Sequence, residues 1–146
     1  MHMLRLWDLA IARPLRALPQ IRISEFMQDH FQRTHIMVFL QPNNLNFHAP
    51  FLRPDQLHCS LTHVDAILPT ALINALRSAL ESALFALTMG EPLWVQLGRP
   101  AWAGSWNFSF TGPLLGIVDT LRTLALNILQ SHRQYTHVRP FHISWA

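Results

Sequence analysis

The chain has 146 residues, of which half are hydrophobic and only 13% are charged. This composition excludes a disordered protein, and the length suits a single domain, residues 1–146, with its own core. The formal net charge is +3 and every cationic residue is arginine, which is too little charge by itself to indicate nucleic-acid binding.

The N-terminal part, residues 1–33, forms an arm that we expect to be irregular or helical. Pro14 and Pro19 interrupt it, and Ser24 predicts the cap of a short helix that runs through Gln32. Its Arg-bearing, mildly amphipathic start leaves organellar import as an alternative. The lone Cys59 excludes a disulfide framework and favours an intracellular location, cytoplasmic or nuclear. No uncharged run is apolar enough for a membrane span, so no membrane partner is expected.

The rest of the chain alternates between strand and helix patterns. β-Branched or alternating runs predict strands, helical spacing of leucines after a proline predicts helices, and Pro/Asn-rich stretches predict loops. In chain order these are a strand at 34–40, a loop at 41–54, a strand at 57–64, a helix at 70–89, a hairpin of 93–97 with 106–111, a helix at 113–130 and a last strand at 139–145. This order indicates the α+β class.

Two strands carry the same short motif, His-x-Ser. The first is LHCSLT, with His58 and Ser60, and the second is FHISW, with His142 and Ser144. Side chains two positions apart in a strand share a face, about 7 Å apart. The motif residues should therefore share one polar face, while Cys59 and the other intervening side chains pack against the helices.

If the two strands lie side by side, the motifs form one phosphate-sized site. Two imidazoles exchange protons near neutral pH, and two hydroxyls can donate hydrogen bonds to phosphate oxygens. An all-arginine cation set also suits a phosphate ligand, because the planar guanidinium matches its oxygens. Tyr135, Trp102 and Arg139 are candidate contacts for bases or phosphates.

Strict alternation assigns His63 to the face opposite His58, so His63 is excluded from the predicted site. Thr62 would instead share the face of His58 and Ser60. His35, in the preceding strand, is interpreted as either a structural residue or a contact at the rim of the site.

The paired motifs HCSLT and FHISWA resemble those of the 2H phosphoesterase superfamily, over roughly residues 34–146. The nearest branch is the U6 small-nuclear-RNA 3′-end phosphodiesterases. The resemblance implies two lobes related by a pseudo-twofold axis, each an antiparallel sheet with helices outside, and a central cleft. It implies a metal-independent RNA phosphodiesterase without a cofactor, acting on RNA 3′ ends or 2′,3′-cyclic phosphates. His58 and His142 would be the general acid and base, in an order that stays open, and Ser60 and Ser144 would bind the substrate phosphate.

Three alternatives remain at this stage. The same site could degrade cyclic or 2′-5′-linked signalling oligonucleotides. The protein could be a catalytically idle module that binds RNA or nucleotides. The nine histidines could also serve a zinc-binding structural domain, although a third ligand at metal-site spacing is lacking. The oligomeric state stays open.

Overall fold

The computed structural model describes residues 14–42, 57–100 and 107–145. Of the predicted loop at 41–54, residues 41 and 42 belong to a strand instead, and residues 43–54 lie outside the described residues. The elements in chain order are β1 (Leu15–Gln28), β2 (Phe31–Pro42), β3 (Leu57–Val64), α1 (Thr70–Thr88), β4 (Leu93–Pro100), β5 (Asn107–Thr111), α2 (Pro113–Ile128), a 3₁₀ helix (Gln130–Tyr135), β6 (Thr136–His137) and β7 (Ile143–Trp145).

The described strands form one antiparallel sheet that closes on itself. Its order is β2-β1-β4-β5-β7-β3-β6, and β2 also pairs with β3, so that six strands form a ring with β6 added beside β3. Helix α1 packs on β1, and α2 packs on β3, β4 and β5. A ring of six strands is too narrow to enclose an α-helix about 10 Å wide. The helix-covered face is therefore the outer face, and the opposite face looks inward.

The outer face of the sheet and the two helices share one hydrophobic core. Alternate strand positions supply it, and helix positions three or four apart complete it. Fully buried examples are Ile36, Val38, Cys59, Leu61, Val95, Phe108 and Ile143 on the strands, and Leu76, Leu80, Leu114, Val118 and Leu121 on the helices. Burial of Cys59 and Ile143 confirms the predicted apolar sides of both His-x-Ser motifs.

The α+β class and the antiparallel strands are confirmed, as are both long helices and the β4–β5 hairpin. The second helix ends at Ile128 instead of Gln130, and the 3₁₀ helix follows it. The two-lobed arrangement is not confirmed, because the strands join into one closed sheet. Among the described residues, no helix combines the length and apolarity needed to cross a membrane.

The prediction for the N-terminal arm is wrong over residues 15–28. No Ser24-capped helix forms, because β1 and β2 make a continuous antiparallel hairpin. The burial pattern of β1 alternates: Leu15, Ala17, Pro19 and Ile21 are buried, and the side chains between them are exposed or partly exposed. Asp29 and His30 form the turn with φ values of 52° and 67°, the left-handed pair that a two-residue hairpin turn requires.

The last predicted strand, 139–145, is also wrong in its extent. Only Ile143–Trp145 is a strand, and it pairs with residues 57–59 of β3, whereas β6 pairs with His63 and Val64. Residues 138–142 make no strand pairing. This leaves a gap in the sheet beside Ser60 and Leu61.

Strand β3 contains a bulge opposite the Ile36/Met37 step of β2. Thr62 pairs with Ile36 and Ser60 pairs with Met37, so Leu61 is the extra residue. The side chain of Arg122, from α2, fills the gap beside the bulge. Its Nε donates to the Leu61 carbonyl at 2.7 Å and its Nη2 donates to the Ser60 carbonyl at 3.2 Å. The same guanidinium lies 3.6 Å from the ring centroid of Phe141, and thus joins β3 to the segment before His142.

We expect Arg122→Leu to lower the free energy of unfolding by about 1–3 kcal/mol, because two carbonyl groups lose their donors. Arg122→Lys should cost less, since lysine keeps a charged donor but lacks the planar fork. Urea denaturation followed by circular dichroism gives both values.

The matched control is Arg77→Leu on α1, because the Arg77 side chain makes no hydrogen bond or ion pair within the part of the chain that the structure describes. It should change stability by less than about 0.5 kcal/mol. An Arg122→Leu protein as stable as the wild type would contradict the role of Arg122 at the bulge.

Candidate active site

A cleft of about 470 Å³ opens on the inward face of the sheet. This volume lies within the range of small-molecule sites. Polar side chains from β2, β3, β5, β6, β7 and the segment before β7 line it, together with Arg122 from α2. They include His35, His58, Ser60, His63, Asn107, Ser109, Arg122, His137, Arg139, His142 and Ser144.

The structure brings all four His-x-Ser residues to this cleft. His58 of β3 lies directly opposite Ser144 of β7 in the antiparallel register. Ser60 follows His58 by two positions on the same face, and His142 immediately precedes β7. All four side chains are half-buried, so they are held by the protein and still reach solvent.

A hydrogen bond orients the His142 ring. Its Nδ1 lies 3.0 Å from the carbonyl oxygen of Pro140. A carbonyl oxygen can only accept, so Nδ1 must carry the hydrogen. In the neutral ring the lone pair then lies on Nε2, the arrangement that a general base requires.

Each motif serine has a polar partner. The Ser144 hydroxyl donates to the Asn107 side-chain oxygen of β5 at 2.6 Å. The Ser60 hydroxyl lies 2.7 Å from Nε2 of His35, which projects from the neighbouring strand β2. Both serines are therefore held in fixed positions along the cleft.

Three histidine rings pack together beside Ser60. His35 stacks on His63 with ring centroids 4.1 Å apart, and it meets His58 edge-on at 5.6 Å. Burial, followed by the charges of His63 and His58, lowers the pKa of His35 to about 3. Burial also lowers the pKa of His63, assisted first by Arg139 and then by Arg33, His137 and His58. At neutral pH both rings are therefore uncharged, and His35 can hold Ser60 without adding a charge.

The prediction that His63 faces away from His58 is wrong. The bulge at Leu61 shifts the alternation by one residue, so Thr62 turns to the buried side and His63 turns to the cleft. Thr62 is 1% exposed and its hydroxyl donates to the His137 carbonyl at 3.0 Å. A substitution at His63 would therefore alter the cleft itself.

The three candidate substrate contacts differ in where they lie relative to the cleft. Arg139 lines the cleft. Tyr135 lies at the end of the 3₁₀ helix, where its side chain is 44% exposed and is not among the lining residues. Trp102 lies outside the described residues.

Burial raises the pKa of the Cys59 thiol to about 12, so this cysteine is unsuited to act as a thiolate.

Sequence reasoning missed several residues of the cleft. Asn107 and Arg122 carry no motif, and pairing and helix packing alone bring them to Ser144 and Ser60. His137 lies opposite His63 in the register and donates from Nε2 to Asp65 at 2.6 Å. His35 could be assigned to the polar face of β2 from the strand pattern, because it lies between Thr34 and Ile36, which are both buried.

Within residues 14–42, 57–100 and 107–145, no three His, Cys, Asp or Glu side chains are arranged to hold a metal ion. The zinc-domain alternative thus gains no support from these residues. The expected independence from metal remains a prediction.

No protein-family model, curated protein or solved structure matches the chain. The resemblance to the 2H phosphoesterases therefore stays a prediction.

The low pKa of His35 predicts a stability that depends on pH. In the unfolded chain His35 binds a proton below about pH 6.5, its ordinary value, whereas the folded protein excludes this proton down to about pH 3. The contribution of His35 to the free energy of unfolding is therefore complete above pH 6.5 and is lost as the pH falls toward 3.

The urea midpoint should decrease as the pH is lowered from 7.5 to 4.5, and His35→Gln should reduce the slope of the midpoint against pH. Met37→Leu, two positions along the same strand, should keep the wild-type slope, and an identical slope in His35→Gln would contradict the assignment.

Proposed function

We propose that the protein is an RNA phosphodiesterase that uses His58 and His142 as its general acid and base and needs no metal. The observation that supports this most is the placement of both histidines and both motif serines on one cleft, with His58 opposite Ser144. Paired proton-transfer groups with adjacent hydroxyl and guanidinium donors suit a phosphodiester, which carries charge on its non-bridging oxygens.

His142 is the proposed base. Its Nδ1–H donates to the Pro140 carbonyl, so Nε2 is the atom that takes a proton from the attacking hydroxyl. His58 is the proposed acid and protonates the leaving oxygen as the phosphorus–oxygen bond breaks. If a neighbouring 2′-hydroxyl attacks, the product ends in a 2′,3′-cyclic phosphate; if water attacks, a cyclic phosphate or a linear diester is opened.

The phosphate is held between the two motifs. In this proposal His35 donates from Nε2 to Ser60, which leaves the Ser60 hydroxyl hydrogen for a phosphate oxygen. Ser144, on β7, donates to the side-chain oxygen of Asn107, on β5, and so orients the Asn107 amide nitrogen to donate to a phosphate oxygen. Arg139, at the mouth of the cleft, supplies a charge that opposes the negative charge of the transition state. We also propose that the sheet and its central cleft form a 2H-phosphoesterase-like fold.

Cyclic and 2′-5′-linked signalling oligonucleotides are the alternative substrates, because the same proton transfers would cleave them. Short 3′-5′ RNAs, 2′,3′-cyclic nucleotides and 2′-5′ oligoadenylates should therefore be incubated with the protein in EDTA, and the products identified by mass spectrometry. We expect turnover of RNA ends or cyclic phosphates at the same rate with and without EDTA.

Two results would contradict the proposed metal-independent phosphodiesterase. Loss of turnover in EDTA, restored by added zinc or manganese, would indicate a metal hydrolase. Binding of these ligands without any turnover would favour the alternative of an idle RNA- or nucleotide-binding module.

An acid and a base that act in one step behave as a unit, so removing either one should remove most of the catalysis. We expect His58→Ala and His142→Ala each to lower kcat by about 10²–10⁴-fold, and the double variant to be only slightly worse. Ser60→Ala and Ser144→Ala should cost less, because each removes one hydroxyl and keeps both proton-transfer groups. Initial rates under saturating substrate give these values.

His132→Gln is the control for the histidine variants. His132 lies on the 3₁₀ helix, bonds to Ser131 and is not among the residues that line the cleft. Its variant should retain wild-type kcat. A fully active His142→Ala protein would contradict the proposed base.

A further inference from the structure

A second pocket, of about 530 Å³, continues from the candidate active site along the β1–β2 hairpin. The two share His63, His137 and Arg139. The remaining lining residues of the second pocket are Phe26, Arg33, Asp65 and Val138. A ligand that fills the catalytic cleft can thus extend into this pocket without leaving the inward face of the sheet.

Charges in the second pocket favour an anion. Arg33 and Arg139 face a single carboxylate, Asp65, whose oxygens contact Arg33 Nε at 3.4 Å and His137 Nε2 at 2.6 Å. Two guanidinium groups against one carboxylate leave a net positive charge, whatever the state of the histidines. Asp65 also contacts both Arg33 and His137, and so sets the position of both side chains beside the pocket.

Aromatic side chains lie on the same face of the hairpin. Phe26 pairs directly with Arg33 across β1 and β2, and it lines the pocket. Phe31 precedes Arg33 by two positions on β2, so it shares that face, and its side chain is 62% exposed. An exposed phenylalanine beside an arginine is the combination with which proteins stack a base and hold its phosphate.

We propose that this second pocket, together with Phe31 on the same face of the hairpin, binds a nucleotide beyond the two that the cleaved phosphodiester joins. Arg33 and Arg139 hold its phosphate, and the phenylalanines of the hairpin stack its base. This inference rests on the proposed function, and it specifies the substrate as an oligonucleotide chain. A cyclic mononucleotide fills only the first cleft.

The test compares binding of 2′-O-methyl-uridine di- and tetranucleotides by calorimetry in EDTA, with the ligand recovered and checked for cleavage. The tetranucleotide should bind the wild-type protein more tightly than the dinucleotide. Arg33→Gln should weaken tetranucleotide binding about tenfold more than dinucleotide binding, as expected for a lost charge-assisted contact. It should also lower the salt dependence of tetranucleotide binding by about 0.7 in the log–log slope. Phe31→Ala should reduce tetranucleotide affinity by about tenfold.

Two matched controls lie on α1, which packs on the outer face. Phe85 is 61% exposed, nearly the same as Phe31, and Arg77 carries the same charge as Arg33. Phe85→Ala and Arg77→Gln should bind both ligands as the wild type does. Circular dichroism of each variant shows that the fold is retained.

The proposed role of the second pocket is contradicted if the wild type binds both ligands with equal affinity, or if Arg33→Gln weakens the binding of both to the same extent. In either case, turnover of short substrates in EDTA would leave the proposed function in place. If neither ligand binds and no substrate is cleaved, both the proposed function and the proposed nucleotide binding in the second pocket are contradicted.

Discussion

The bulge at Leu61 in β3 is the constraint on which the site depends. It shifts the alternation of the strand by one residue, so His58, Ser60 and His63 all face the cleft while Leu61 and Thr62 remain buried. The bulge coincides with the place where residues 138–142 leave the sheet, and both events expose backbone carbonyl groups. Arg122 satisfies two of them and covers Phe141 with the same guanidinium. One side chain from a helix thereby joins the two segments that carry the His-x-Ser motifs.

The histidines of the cleft divide into two groups with different physical roles. His35 and His63 lie stacked and desolvated, and their lowered pKa values keep them uncharged at neutral pH. Neutral rings can orient Ser60 and pack beside a phosphate without trapping a proton. Of the proposed acid and base, His58 lies on β3 with its ring edge-on to His35, and His142 lies before β7, where a backbone carbonyl orients it. The proposed proton transfers thus occur within a scaffold of fixed, neutral donors and acceptors.

Much of the site was predictable from local patterns. The apolar flanks of both motifs implied that His58, Ser60, His142 and Ser144 share polar faces, and burial of Cys59 and Ile143 agrees. Strict alternation failed at His63, because a bulge arises from pairing with β2 and leaves no distinct mark in LHCSLTHV. The helix predicted from Ser24 through Gln32 is wrong for another reason: Ser24 satisfies the pattern of a helix cap, but the alternation of β1 is stabilised by pairing with β2 along its whole length. Asn107 and Arg122 were unpredictable, since no motif distinguishes them.

The amino-acid sequence by itself determined the elements whose signals are local. Prolines and leucine spacing specified α1 and α2, and β-branched or alternating runs specified β2, β3 and the β4–β5 hairpin. Only the tertiary structure decided that the strands close into a ring, that His58 meets Ser144, and that His35 reaches Ser60. The physical reason is that a strand's pattern selects a face but not a partner. Partners and register depend on side chains far apart in the chain, whose packing becomes favourable only when all the strands are assembled.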